Sequence, residues 1–276
     1  MAEIKASDVA KLRNMTGAGM MDCKAALAEA NGDFELAVDV LRKKGQKVAN
    51  KRADREATEG VVLAGVTSNK KQGAIVVLNC ETDFVAKNND FVKLAQSILN
   101  VALENNPENL EALKNLQLNG VKIADEITNQ IGVIGEKLDL SYFEKINAEH
   151  VISYIHPGNK LASVAGFSQQ NVELQVAKDV VMQIAAMNPI SIDNGDVPQS
   201  VIDKEIEIGK ELAIQEGKPA DMAEKIALGR LNKFYKENTL LNQQFVKDNK
   251  LTIREYMNQA SKGLTVTAFK RFTLNQ

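Results

Sequence analysis

Asn79-Cys80-Glu81-Thr82-Asp83-Phe84-Val85-Ala86-Lys87-Asn88-Asn89-Asp90-Phe91 is where one kind of structure must give way to another. The run before it, Ala74-Ile75-Val76-Val77-Leu78, is continuously apolar, the pattern of a buried strand. After it, Phe91, Leu94, Ala95, Ile98 and Leu99 recur at helical spacing, which predicts a helix over about 90–103. Between the two, Thr82 and Asp83 carry oxygens that accept the free N–H groups of a first helical turn. Phe84 falls at the tip. Two readings are open for it: a local plug that folds back, or a rigid wedge held out for a partner, since exposed aromatics anchor interfaces.

Outward from that stretch, composition narrows the function classes. The 276 residues carry 34 basic and 36 acidic side chains, a net charge of −2, which argues against a general nucleic-acid binder. Aromatics make up 5% with no Trp, so base-stacking platforms are scarce. Two cysteines, Cys23 and Cys80, form neither a disulfide framework nor a metal cluster and fit free thiols in a reducing cytoplasm. The start reads as a capped polar helix and not as a signal sequence. No run of about 18 apolar residues occurs, so no membrane span is expected.

The first fifty residues read as three short helices. Ser7 is placed to cap the first, which carries Val9 and Leu12 and stops at Thr16-Gly17-Ala18-Gly19. A second runs from about Met21 to Ala30, ending at Asn31-Gly32. Asp33 caps a third, with Phe34, Leu36, Ala37, Val40 and Leu41 inward and Gly45 as its stop. Met20 and Met21 border the glycine loop, where they either fill the core or form an adaptable docking surface. Seven basic residues between Arg42 and Arg55 face one acid, Asp54. They read as a solvated helix end and linker; the alternative is a non-catalytic RNA-binding or ribosome-associated module.

This bundle resembles a ubiquitin-associated domain. Thr16-Gly17-Ala18-Gly19-Met20-Met21-Asp22-Cys23-Lys24-Ala25-Ala26-Leu27 resembles the amino-terminal signature of the bacterial elongation factor Ts family. Thr82-Asp83-Phe84-Val85-Ala86-Lys87-Asn88 is similar to that family's second signature, in the right order along the chain.

Two later segments repeat one plan. Val61–Val66 and Ala74–Leu78 flank a turn at 68–73; Val151–Ile155 and Leu161–Phe167 flank another at 156–160. Each pair reads as a β-hairpin followed by an apolar helix, at about 90–103 and 172–187. Helical stretches at about 107–116 and 124–131, then strand-like Leu138–Ile146, lie between the copies. Pro198–Gln215 and Pro219–Tyr235 predict an antiparallel helical hairpin, with Val201, Ile202, Ile206, Ile208 and Leu212 facing Met222, Ile226, Leu228, Leu231 and Phe234. Leu264–Phe272 alternates as a last strand. The class is therefore α+β: a ubiquitin-associated-like three-helix bundle, a duplicated α+β core with antiparallel sheets, and an inserted helical hairpin. The expected domains are a bundle at 1–50, a basic linker at 51–59, a first core subdomain at 60–146, and a second at 147–276 carrying the hairpin at about 198–236.

Catalytic constellations are missing from the sequence. No phosphate loop occurs, and Gly17-Ala18-Gly19 follows a helix where a dinucleotide fingerprint needs a strand. His150 and His156 have no cysteine near them, so no metal or cofactor is expected. Cys80 precedes Glu81, whose charge would raise its pKa and blunt it as a nucleophile. The resemblance implies a guanine-nucleotide exchange factor for elongation factor Tu, which does no chemistry itself. It further implies that Thr82, Asp83, Phe84 and Val85 disturb the partner's magnesium and phosphate site. Leu12, Met20 and Met21, with Lys160, Leu161 and Ala162, are implied as further contacts. Gln183 takes the place where family members often carry a partner-facing His, and it cannot titrate near neutral pH.

Overall fold

The computed structural model describes residues 4–275, Ala220 by its backbone only. They form two compact units. The first holds the residues through Leu63, then Val76–Glu144 and the chain end from Thr273; the second holds Ala64–Ile75 and Lys145–Phe272.

Three helices open the first unit: α1 (Ala6–Thr16), α2 (Met20–Glu29) and α3 (Phe34–Lys51). Leu12, Cys23, Leu27 and Ala37 are fully enclosed in their core. Asp33 caps α3 as the sequence predicts, accepting from the Leu36 amide at 2.9 Å. Ser7 does not cap α1. The helix begins two residues earlier, with Lys5 at the N-cap position, and the amides of Asp8 and Val9 bond to the Lys5 carbonyl instead.

The core repeats one order of elements. The first copy runs β1 (Glu59–Val66), β2 (Gln72–Cys80), a short α4 (Asp83–Ala86), α5 (Asn89–Asn105) and α6 (Leu110–Lys114). It continues with β3 (Gln117–Leu118), β4 (Val121–Lys122), α7 (Ile123–Ile134) and β5 (Asp139–Asn147). The second runs β6 (His150–Ile155), β7 (Leu161–Phe167), α8 (Leu174–Met187), then helices α9 (Gln199–Gln215) and α10 (Ala220–Asn238). It closes with β8 (Gln244–Phe245), β9 (Asp248–Thr252), α11 (Ile253–Ala260) and β10 (Val266–Thr273). The two main sheets have the orders β1-β2-β5 and β6-β7-β10: in both, the late strand joins the second hairpin strand. Beyond what the sequence pattern suggests, each copy also carries a small hairpin that feeds a helix, β3-β4 into α7 and β8-β9 into α11. Asn119 and Gly120 turn the first of these with φ of 54° and 84°, as a two-residue hairpin loop requires. The helix expected over 107–116 shrinks to α6, because Asn109 caps it late and the chain enters β3 soon after.

Gly45 does not stop α3, which continues to Lys51. It lies where α3 crosses α7 within the first unit. A Cβ on Gly132 would sit 2.6 Å from the Gly45 Cα, so only glycines allow this backbone approach. Leu36, expected inward, is 55% exposed; its neighbour Ala37 takes the core position.

The helical hairpin is real, and its seam matches the expected one in part: Leu231 is buried, and Val201, Ile202, Ile206, Ile226 and Phe234 are half-buried. Gly209, Ala213, Ala223, Ala227 and Leu231 are buried, whereas Ile208, Leu212, Met222 and Leu228 are exposed. A Cβ on Gly209 would lie 3.0 Å from the Ala227 Cα, so α9 and α10 approach too closely to seat large side chains between them. Among the described residues, no helix is long and apolar enough to cross a membrane.

Candidate functional site

The strand-to-helix junction at 79–91 forms as read. Buried β2 ends at Cys80, and Thr82 caps α4: its Oγ1 accepts from the Val85 amide at 3.4 Å. Ala86 is buried beneath the turn, and Asn88 caps α5 by accepting from the Asp90 amide at 2.8 Å. The turn is thus capped by Thr82, anchored by Ala86 and followed directly by the cap of α5. The Phe84 side chain is 82% exposed, the most exposed large apolar group described, which settles its orientation against a plug. Asp83 beside it meets Lys87 at 2.6 Å, one helical turn on. That hydrogen bond, then the Asp83 charge, raises the Lys87 pKa. An ion pair this exposed adds little stability.

Beneath the tip lies a polar lock that local pattern does not reveal. Glu136, in the loop after α7, accepts from the amides of Glu81 (3.1 Å) and Thr82 (3.0 Å) and from the Thr82 hydroxyl (2.6 Å). In return, the Glu81 carboxylate accepts from the Lys137 amide at 2.6 Å. Arg52, just past α3, grips both Glu81 oxygens at 3.0 and 2.8 Å. Burial alone would raise the Glu81 pKa, but the Lys137 amide and Arg52 outweigh it and hold the carboxyl below its usual range. The folded pKa therefore lies below the unfolded value of about 4.3. Its contribution to stability is complete above that value and is lost as pH falls through the folded pKa. Glu81→Gln is thus expected to lower stability at about pH 7 and to converge with the unaltered protein as pH falls below the folded pKa of Glu81. Urea unfolding across that range checks it; a gap independent of pH contradicts the lock.

The other candidates divide by exposure. Met20 and Met21 are 58% and 76% exposed at the loop between α1 and α2, on the docking side of the two readings. Leu12 is fully enclosed in the bundle core, and Ala162 is likewise enclosed in β7, so neither side chain offers a surface. Lys160 and Leu161 are half-buried. Gln183 corrects the expectation of a partner-facing side chain. It is 0% exposed, donates to the Gln244 carbonyl at 3.1 Å and accepts from the Val246 amide at 3.0 Å. A buried amide so engaged braces residues 243–246. Within the basic run, Lys44 pairs with Asp22 and Arg52 with Glu81, so part of that charge is already neutralised.

Cys80 is a poor nucleophile. Cys80 is buried and its thiol donates to the Thr82 carbonyl at 3.2 Å. Burial first, then the charges of Glu136 and, more weakly, Glu59, push the thiol up to about 12; the carboxylates responsible are these two and not the adjacent Glu81. His150 bonds to the Gln170 carbonyl and His156 to the Tyr154 hydroxyl. Among the described residues no cluster of His, Cys, Asp and Glu has the make-up of a metal site.

Comparison with known proteins gives matches over nearly the whole chain. The family profile described as "Elongation factor TS" matches residues 81–276. A protein of Porphyromonas gingivalis named elongation factor Ts is 57% identical over 271 residues, covering 97% of each chain. One of the same name from Amoebophilus asiaticus is 53% identical over 270 residues, 97% of this chain and 98% of that one. A third, from Cytophaga hutchinsonii, is 47% identical over 278 residues and covers both chains in full.

Proposed function

Because the chain belongs to the elongation factor Ts family, we propose that its Thr82–Val85 turn is what loosens GDP from elongation factor Tu. The protein is a guanine-nucleotide exchange factor in translation elongation, and elongation factor Tu is its partner. The observation that carries the reading is Phe84, held 82% exposed on a short turn capped by Thr82 and followed directly by the cap of α5.

The turn enters beside the partner's magnesium ion. The Phe84 ring takes up room among the segments that bind phosphate, and the Asp83 carboxylate competes for the ligands that hold the ion. Magnesium neutralises much of the charge on a diphosphate, so disturbing it weakens the nucleotide's hold. Coupling of this kind is reciprocal: GDP weakens binding of the factor by the same ratio. A hundredfold ratio corresponds to about 2.7 kcal/mol, within reach of one buried aromatic and the contacts around it.

The domains divide the work. Residues 1–50 grip the partner through exposed Met20 and Met21; Lys160 and Leu161 add a contact from the second core subdomain at 147–276, and the arm at about 198–236 another. The basic segment 51–59 joins the bundle to the first subdomain, 60–146. The factor brings no cofactor and performs no chemical reaction. Translation elongation places its work in the cytoplasm.

Release of a fluorescent GDP from elongation factor Tu, followed by stopped flow with and without EDTA, tests the magnesium step. Chelation is expected to speed spontaneous release and to shrink the further acceleration that the factor provides. An equal acceleration in both conditions contradicts this role for the turn.

A further inference from the structure

We infer that Glu136 is a positioning residue for nucleotide exchange: its carboxylate fixes the angle at which α4 presents Phe84. The inference rests on the proposed role of the Thr82–Val85 turn. Glu81 and Thr82 are the two residues that join β2 to α4, so any rotation there swings the whole turn. Both of their amides and the Thr82 hydroxyl donate to this one carboxylate, at 3.1, 3.0 and 2.6 Å. The same hydroxyl oxygen accepts from the Val85 amide, so the group that caps α4 is also the group that ties it down. The cap's direction is thereby set from the far end of α7, 54 residues along the chain from Thr82.

Without the carboxylate, the turn itself survives. The amides of Ala86 and Lys87 still bond to the carbonyls of Thr82 and Asp83. What is lost is the fixed hinge beneath it, so the penalty falls on insertion of the tip and not on docking of the rest of the surface. A residue that merely stabilised the fold would depress both alike.

The test measures GDP release from elongation factor Tu as a function of factor concentration for Glu136→Ala, Glu136→Asp and Glu136→Gln, each also combined with Phe84→Ala. Alanine is expected to lower the maximal rate about tenfold, with the half-saturating concentration little changed. Aspartate keeps the charge but is one methylene too short to reach all three donors, and should behave as alanine does. Glutamine keeps the reach and an acceptor oxygen, and should recover most of the rate. With Phe84 already removed, none of the three should cost more, since residues that act through one another are not additive. A wild-type maximal rate for the alanine or aspartate variant overturns the inference, as does an equal loss in the Phe84→Ala background. If Phe84→Ala alone leaves release unchanged, the tip's role falls first and this one with it.

Discussion

Replacing Phe84 by alanine is expected to slow GDP release from elongation factor Tu by about thirtyfold or more at saturating factor, the effect of losing an interface anchor worth about 2 kcal/mol. The unfolding free energy should stay within about 0.5 kcal/mol of the original, because removing an exposed side chain deletes few contacts. Phe84 is 82% exposed and takes no part in the core, so the free protein has little to lose. The turn that carries it is held by Thr82, Ala86 and Asn88, none of which touches the ring's role. The whole penalty therefore falls on the complex. Stopped-flow release at saturating factor, with urea unfolding as a control, decides it; an unchanged rate removes the wedge.

Phe91→Ala should produce the opposite phenotype. This ring lies in the first turn of α5 and is 2% exposed, among the largest fully enclosed side chains. Truncating it removes buried apolar surface and leaves a cavity, at a cost of about 3–5 kcal/mol. The urea midpoint should fall by the corresponding amount with little change in slope. At low temperature, where the variant is still folded, its release rate should stay near that of the original protein, since the tip is intact. A stability loss under about 1 kcal/mol means that the cavity collapses or that Phe91 is less enclosed than described.

These two aromatics also show where sequence is informative. Phe91 belongs to an apolar stripe at helical spacing, and Phe84 breaks it just after a capping residue; both facts are local. Caps such as Thr82 and Asp33 are legible for the same reason, because the donor and acceptor lie within three residues. Gly45 misleads because a glycine that ends a helix and one that admits a neighbouring backbone look alike in sequence; its partner, Gly132, lies on another helix. The arm misleads in a related way. Large apolar residues at helical spacing mark a seam only where the helices stand far enough apart, and here Gly209 and Ala227 bring them too close. Gln183 shows the same limit for a polar residue, since its acceptors and donors come from β8 and the turn after it. Glu136 is the functional residue that pattern misses. One carboxylate after a helix carries no signal of its own, and the three donors it holds come within its reach only when β2 and α7 are both in place.

The most direct measurement is one of proximity. A benzophenone amino acid placed at position 84, irradiated in the complex with nucleotide-free elongation factor Tu and mapped by mass spectrometry, reports what the tip touches. Cross-links are expected in the partner's phosphate- and magnesium-binding segments, and should fade when magnesium and GDP are added. Cross-links confined to other parts of the partner, at undiminished yield with GDP present, contradict the account.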